Sequence, residues 1–334
     1  VKGEVLTLVR RHGWNATAFQ TLEDGYSYFF DGADACVAYV DTGRAWVAAG
    51  APLAAGEALG PVAARFVAAA RAAGRRCCFV AAEDRLLEAA GGALRSLPLG
   101  DQPVWDPRRW PGVLASQRGL REQLRRARAK GVVIRQLTPD ELEAGPTREA
   151  VERLAARWLE TRTVAPLAFL VQVELFSFAP ERRLFAAELD GQLVGLAGVV
   201  PVPARGGWFL EDLLRDPSAP NGTTELLVDA VMRWAAAAGS EWVTLGLAPL
   251  SGEVPPPLRL ARWAGGLFYG FEGVRAFKAK LRPTAWTPIH LAYPATQGAL
   301  VSVMDTLAAL TRDGFVRFGL RTLGRGSRPL CAPS

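Results

Sequence analysis

Short stretches rich in β-branched and aromatic residues alternate along this chain with longer stretches whose apolar residues recur three and four apart, a pattern of mixed strands and helices. In the first half, Tyr28 to Phe30 and Ala35 to Val40 are strand-like, Asp41-Thr42-Gly43 reads as a hairpin turn, and Arg44 to Ala49 returns. A helix is predicted from Glu57 to Ala73, stopped by Gly74, then a strand from Arg76 to Ala81 and a short helix over Leu86 to Ala90. Ser116 to Lys130 carries Leu120, Leu124 and Ala127 at helical spacing with Gly131 as the stop, so it reads as an amphipathic helix with Arg118, Arg121, Arg125 and Arg128 along one side.

After the turn-rich Thr138 to Pro146 the pattern restarts. A helix from Arg148 to Glu160 precedes a hairpin, Leu184 to Leu189 and Leu193 to Val200, joined at Asp190-Gly191. The strand Trp208 to Leu214 leads through a Pro-rich loop into a helix from Thr223 to Ala238. A strand over Glu241 to Gly246, a Gly/Pro loop, a helix to Trp263 and a strand-like block from Gly273 to Lys280 follow. That order is the plan of an N-acyltransferase (GNAT-type) domain, and the first half reads as a degenerate copy of it. The expected fold class is therefore α/β, with mixed α+β sheets in two tandem GNAT-like domains. The first spans 1–137, with the basic helix at 116–130, and the second spans 138–334.

Composition narrows the class. With 334 residues, 50% hydrophobic and 22% charged, the chain is long enough for two cores and too apolar for disorder. No run reaches the roughly 18 apolar residues of a spanning helix. It opens on Val1 without a charged-then-apolar leader, so no signal peptide is expected and the segment reads as cut from a longer polypeptide. Cys36, Cys77, Cys78 and Cys331 lack CxxC spacing, which fits a reducing cytoplasm. His12 and His290 offer almost no material for a zinc site or a Ser-His-Asp triad, so neither a metal nor a cofactor is expected.

Net charge is +6, and its distribution is uneven: nine basic residues face one acid between Arg108 and Arg135, and six face one between Arg259 and Arg282. Such clusters suit polyanionic partners.

At Phe209 to Gly252 the sequence FLEDLLRDPSAPNGTTELLVDAVMRWAAAAGSEWVTLGLAPLSG resembles the catalytic domain of phosphatidylglycerol lysyltransferases, also called multiple peptide resistance factors. GLREQLRRARAKG (Gly119 to Gly131), FYGFEGVRAFKAK (Phe268 to Lys280) and Leu291-Ala292-Tyr293-Pro294 extend the resemblance over nearly the full chain. It implies two tandem GNAT-like folds and transfer of an aminoacyl group from aminoacyl-tRNA to a phospholipid headgroup hydroxyl, on the cytoplasmic face of the membrane. One departure stands out: after Trp158-Leu159, where the family's lysyl and alanyl enzymes carry a polar, Gly-rich block, this chain has the apolar Thr163 to Val171.

Aminoacyl transfer needs an acceptor hydroxyl brought to a carbonyl, a group to take its proton, and positive charge for phosphates. Asp212 and Arg215, three apart at a strand end, are the expected catalytic pair, beside Asn221 and Gly222 at a helix N-terminus. Glu211 is expected on the opposite face of that strand. Arg275, Lys278 and Lys280 are expected to line a phosphate site, the two lysines sharing one face of a strand. Arg118, Arg121, Arg125 and Arg128 are expected to meet the tRNA backbone. Pro217 and Pro220 remove N–H donors from the turn where an acetyl-CoA enzyme cradles pyrophosphate, which disfavours coenzyme A.

Past Tyr293, the apolar stripe of Leu300, Val303, Met304, Leu307 and Leu310 reads as a helix docking on the second domain. Arg317, Arg321 and Arg325 form a basic stripe suited to an anionic phospholipid surface. The resulting expectation is an aminoacyl-tRNA-dependent transferase, peripheral to the inner face of the membrane. A CoA-dependent N-acyltransferase and a catalytically silent tRNA- or lipid-binding module are its rivals.

Overall fold

Hydrophobic periodicity sets the elements. In the computed structural model, which describes residues 1–160, 174–249 and 271–311, the first half runs α1 (Lys2–His12), a 3-10 segment (Ala16–Leu22), β1 (Ser27–Phe30), β2 (Cys36–Asp41), β3 (Ala45–Ala49), α2 (Leu59–Ala72), β4 (Arg76–Ala82), α3 (Asp84–Ala89) and β5 (Leu94–Trp105). Next come α4 (Trp110–Ser116), α5 (Arg118–Ala129), β6 (Val133–Leu137), α6 (Pro139–Glu143) and α7 (Pro146–Glu160). The second half continues with β7 (Arg183–Leu189), β8 (Gln192–Val202), β9 (Gly207–Arg215), α8 (Thr223–Ala237), β10 (Trp242–Thr244), β11 (Ala248–Pro249), α9 (Phe271–Lys280), β12 (Ala285–Pro294) and α10 (Ala299–Leu310).

All described strands join one mixed sheet in the order β1-β2-β3-β4-β12-β5-β10-β9-β8-β7-β6, with β11 paired to β5. The two halves repeat one plan. β1, β2 and β3 are antiparallel and α2 then crosses to β4, parallel to β3; β7, β8 and β9 are antiparallel and α8 crosses to β10, parallel to β9. Sequence order and spatial order diverge at two places. β6 and α5 precede residue 138 yet pair with β7 and pack on α8, while β12 returns from the far end of the chain to fill the gap between β4 and β5.

Helices cover both sheet faces. α2 buries Leu59, Val62, Ala63 and Phe66 on one face of the first half, and α10 covers the other with Val303, Leu307 and Leu310. Cys77 and Cys78, adjacent on β4, enter these two different cores. In the second half α8 and α5 cover one face and α7 the other. A further cluster, with Val5, Leu8 and Phe19 against Val200, Val202 and Phe209, binds the N-terminal helix beneath β8 and β9 and so joins the halves. Trp105 and Trp110 are buried, and Trp110 donates to the buried Asp229 at 2.9 Å.

Two expectations need correction. Residues 273–280 are helical, because Phe271, Val274, Phe277 and Leu281 recur at intervals of three and four, a helical stripe rather than a strand's alternation. The α10 stripe docks on β3, β4 and β12 of the first half, fixed by a two-bond ion pair of Arg76 with Asp305 (2.8 and 2.6 Å), while Leu300 and Met304 stay 62% and 53% exposed.

Gly222, expected to face substrate, instead lets α8 start against α5: its φ is +95° and a Cβ there would strike the Gln123 carbonyl. Gly222→Ala therefore meets both strain and a backbone clash. We expect a cost of about 2 kcal/mol or more, read as a melting temperature lowered by several degrees.

Candidate active site

The parallel pair β9 and β10 is joined over only Gly207–Phe209 and Trp242–Thr244, after which the strands part. The first half has no such opening, since β3 pairs with β4 along its whole length. Two features force the parting. Gly246 has φ +70° and sits so close to Phe209 that a Cβ would lie 2.7 Å from the ring, so the chain beyond Thr244 turns aside. Lys278 of α9, 8% exposed, then holds the diverging backbone by donating Nζ hydrogen bonds to the carbonyls of Leu245, Gly246 and Leu247 at 2.8, 2.8 and 2.9 Å. An ammonium has three N–H donors, and here all are used. Burial pulls the Lys278 pKa down to about 7. Beyond Phe209, no described strand pairs with this edge of β9.

β9 carries a bulge at this edge. Leu210 lies opposite Val199 and Asp212 opposite Gly198, which leaves Glu211 as the extra residue. The expected alternation therefore breaks, and Glu211 falls on the same face as Asp212 rather than the opposite one. Asp212 folds over Gly198, where a Cβ would lie 3.1 Å from its Oδ2. Arg215, opposite Gly195 whose Cβ would meet Leu227 and Thr223 of α8, lies on the other face. Asp212 and Arg215 are thus separated by the sheet, and neither is brought to Lys278.

Beneath the bulge, acidic groups outnumber basic ones. Arg182, 3% exposed, donates Nη1 to Glu211 Oε2 at 2.5 Å, Nε to the Ser177 carbonyl at 2.8 Å, and lies 3.9 Å from Glu23 Oε1. Glu23 and Asp212 are 3% and 5% exposed. Three carboxyls share one guanidinium, and Glu23 Oε1, Glu211 Oε1 and Asp212 Oδ2 have no hydrogen-bond partner among the described residues. Burial, then the charges of Glu211 and Asp212, lift the Glu23 pKa to about 9. Burial and then Glu211 drive Asp212 well above the ordinary carboxyl range. Glu23 and Arg182 lie in connecting segments far apart in sequence, so no local pattern marks them. For Glu211 the signal was a second charge inside an otherwise apolar strand.

The other expected site residues have internal partners. Arg215 donates Nη2 to the Ala219 carbonyl at 2.6 Å and to Asn221 Oδ1 at 3.3 Å, clamping the loop that precedes α8, although its Nε is buried without a partner. Arg275 pairs with Asp101 at 2.8 Å and stacks on Trp286. In the helix, Lys278 and Lys280 do not share a face: Lys280 leaves the core and pairs with Glu225 at 2.7 Å. Along α5, Arg121 bonds the carbonyls of Leu114 and Ala115 at the end of α4, Arg125 pairs with Glu122 at 2.9 Å, and Arg128 reaches buried Asp229 at 2.8 Å. Arg118 makes no ion pair among the described residues.

The model of the family "Phosphatidylglycerol lysyltransferase, C-terminal" matches residues 6–293. The chain belongs to this family. Among curated relatives, a phosphatidylglycerol lysyltransferase of Bacillus subtilis (strain 168) is 30% identical over 122 residues, covering 34% of this chain and 14% of that protein. The lysylphosphatidylglycerol biosynthesis bifunctional protein LysX of Mycobacterium ulcerans (strain Agy99) is 25% identical over 235 residues, covering 67% of this chain and 21% of that protein. The chain thus spans about a fifth or less of these relatives.

Among solved structures, the C-terminal DUF2156 domain of a protein described as a lysylphosphatidylglycerol synthetase, from Agrobacterium fabrum, aligns at TM-score 0.79 with 25% identity, covering 93% of this chain and 96% of that one. L-PGS from Bacillus licheniformis aligns at 0.76 with 19% identity, covering 98% and 97%, and FemX at 0.58 with 11% identity, covering 92% and 98%. The expected α/β fold class is borne out by these neighbours. The apolar block Thr163 to Val171, where the sequence departs from the family pattern, lies outside the described residues.

The electrostatics of the acidic cluster set a pH test. Folded Glu23 keeps its proton up to about 9, whereas the unfolded chain loses it near 4.5, so the unfolded state binds fewer protons between these values and stability falls as pH rises through that window. Glu23→Gln does not titrate. Its melting temperature is expected to exceed that of the parent by a few degrees at pH 8, with the difference fading as pH falls toward 5; an equal or lower value at pH 8 contradicts the burial argument.

Proposed function

We propose that this chain is the aminoacyl-transferring part of an enzyme that takes an aminoacyl group from aminoacyl-tRNA and places it on a headgroup hydroxyl of phosphatidylglycerol or a similar anionic phospholipid. The observation that carries this reading is the opening between β9 and β10, bordered by Asp212, in a chain whose residues 6–293 match the phosphatidylglycerol lysyltransferase C-terminal family. A parallel strand pair that separates at its C-terminal end exposes backbone donors and a crevice for a substrate, as open α/β sheets commonly do.

In the proposed reaction the acceptor hydroxyl attacks the ester carbonyl, a new C–O bond forms, and the bond to the tRNA ribose breaks. The hydroxyl proton passes through the Asp212 carboxyl to the leaving ribose oxygen. Asp212 suits that task because burial raises its affinity for a proton. Arg215, whose Nε is unpartnered, is proposed to hold a phosphate from the other side of β9, next to Asn221.

Arg118, Arg125, Arg126 and Lys130 on the outer face of α5 support contact with the tRNA backbone, whereas Arg121 and Arg128 serve the fold. The exposed Leu300, Val301 and Met304 of α10, followed in sequence by Arg317, Arg321 and Arg325, support peripheral docking on an anionic membrane surface at the cytoplasmic side. No helix among the described residues is long and apolar enough to cross a membrane.

The purified chain, supplied with aminoacyl-tRNAs and phosphatidylglycerol vesicles, is expected to yield an aminoacylated lipid detectable by mass spectrometry. Asp212→Asn should keep its melting temperature and slow single-turnover transfer by about a hundredfold or more. A fully active Asp212→Asn protein removes Asp212 from the chemistry, and acylation from an acyl-CoA in place of aminoacyl-tRNA would favour the coenzyme A rival.

A further inference from the structure

The sheet has a narrow seam. β10, three residues long, stands between β5 and β9 in the strand order, so the strands β6 to β9 meet the rest of the sheet through this short strand. The opening lies at one end of the seam, where β9 and β10 part after Phe209 and Thr244. At the other end stands Arg205, in the 3-10 turn Pro203–Arg205 that connects β8 to β9. Its guanidinium lies 4.6 Å from the ring centroid of Trp242, the first residue of β10, and 4.5 Å from that of Trp14, in the segment after α1. It also donates Nη2 to Glu83 Oε2, from the residue that precedes α3. Trp242 in turn rests on Gly207, where a Cβ would lie 2.8 Å from its ring. Arg205 therefore starts from the β9 side, covers the seam strand and grips the first half of the chain at two places.

As a source of stability this contact is a poor choice. The side chains of Arg205 and Glu83 are only 12% and 7% exposed, and Arg205 Nε and Glu83 Oε1 are buried without a hydrogen-bond partner among the described residues. Burial raises the Glu83 pKa and lowers that of Arg205, and each shift is opposed by the other's charge. An apolar filling of similar volume is often as stable as a buried ion pair. What the guanidinium adds is direction: a rigid fork for a carboxylate and a flat cation for two indoles. Apolar side chains, such as those that pack α1 beneath β8 and β9, resist separation but permit sliding; a fork on a carboxylate resists both. Arg85 of α3 lies 4.6 Å from the same Trp14 ring, so that indole is itself held from the first half.

We propose that Arg205 is a positioning residue for the transfer reaction: by tying the closed end of the seam to Glu83 and Trp14, it fixes the angle between the two parts of the sheet and so the width of the opening at the other end. One border of that opening is β9 with Asp212, and the other is the chain after Thr244, which rejoins β5 through β11. A rotation about β10 moves these borders relative to each other. Arg205 acts on them without touching substrate. This deepens the function proposed above and rests on it for the reaction that the opening serves.

The deciding variant removes the direction and keeps the filling. Arg205→Met alone leaves Glu83 buried without its cation and is expected to melt well below the parent. Combined with Glu83→Gln, which keeps an acceptor for the Trp14 bond to this side chain, the melting temperature is expected to return to within a few degrees of the parent's. Lipid aminoacylation by the intact double-variant chain, measured well below that temperature, is expected to show kcat lowered by about tenfold or more with the KM for aminoacyl-tRNA near the parent's. Hydrogen exchange is expected to quicken at the seam amides of residues 207–209 and 242–244 and to stay unchanged in the β7–β8 hairpin. The proposal is overturned if the double variant transfers at the parent's rate, or if its rate falls while exchange at the seam is unchanged. Exchange also keeps the two readings apart: a parent chain that makes no aminoacylated lipid overturns the function, and the seam amides then still decide the clasp, which stands if they quicken in the double variant and is overturned if they do not.

Discussion

The separation of β10 from β9 after Phe209 is the constraint on which the rest of the site depends. A parallel pair gains about one ladder hydrogen bond per residue joined, so leaving it costs free energy that must be offset nearby. Here the Lys278 ammonium supplies the substitute: it collects the carbonyls of Leu245, Gly246 and Leu247 that would otherwise be buried without donors. Phe209 and Gly246 then act as wedge and clearance. The first half, built to the same plan, has none of these devices, and its β3 and β4 stay joined. The same strand arrangement is joined throughout in the first half and parted in the second.

The bulge of β9 is the second adjustment at the same place. By inserting Glu211 opposite no partner, it puts two acidic side chains in succession on one face and so concentrates charge that strict alternation would have divided between two faces. Burying these groups beside Glu23 is unfavourable in isolation, since the single guanidinium of Arg182 cannot balance all three. The unfavourable terms are confined to the junction where α1 and the Ala16–Leu22 turn pack beneath β8 and β9. That surrounding apolar packing is what holds the acidic groups together.

Much of the architecture was legible because it is local. Asp41-Thr42-Gly43 and Asp190-Gly191 announced their hairpins, and the apolar spacing of α2, α5 and α8 announced their helices. The site was less legible. A bulge is decided by the register of two strands, so the direction of Glu211 could not be read from its own strand. For residues 273–280, two lysines in alternate positions suggested a strand, although the apolar positions from Phe271 to Leu281 carried a helical period. The arginines of α5 do lie outside its apolar stripe, but Arg121 and Arg128 turned out to serve the end of α4 and the buried Asp229, partners that are distant or irregular in sequence. Glu23 and Arg182 became neighbours only through the tertiary fold.

The return of β12 has a consequence for how the molecule is made. This strand lies between β4 and β5, so the first half of the sheet has a missing row until residues 285–294 have been synthesised. During translation the early strands must wait, with apolar surface on β4 and β5 uncovered, while nearly the whole second half emerges. α10 then closes the other face of the same sheet through Arg76 and Asp305. The two halves are therefore interlocked by chain order, and a cut between them would not release two complete domains: the first half would leave without the strand that joins β4 to β5.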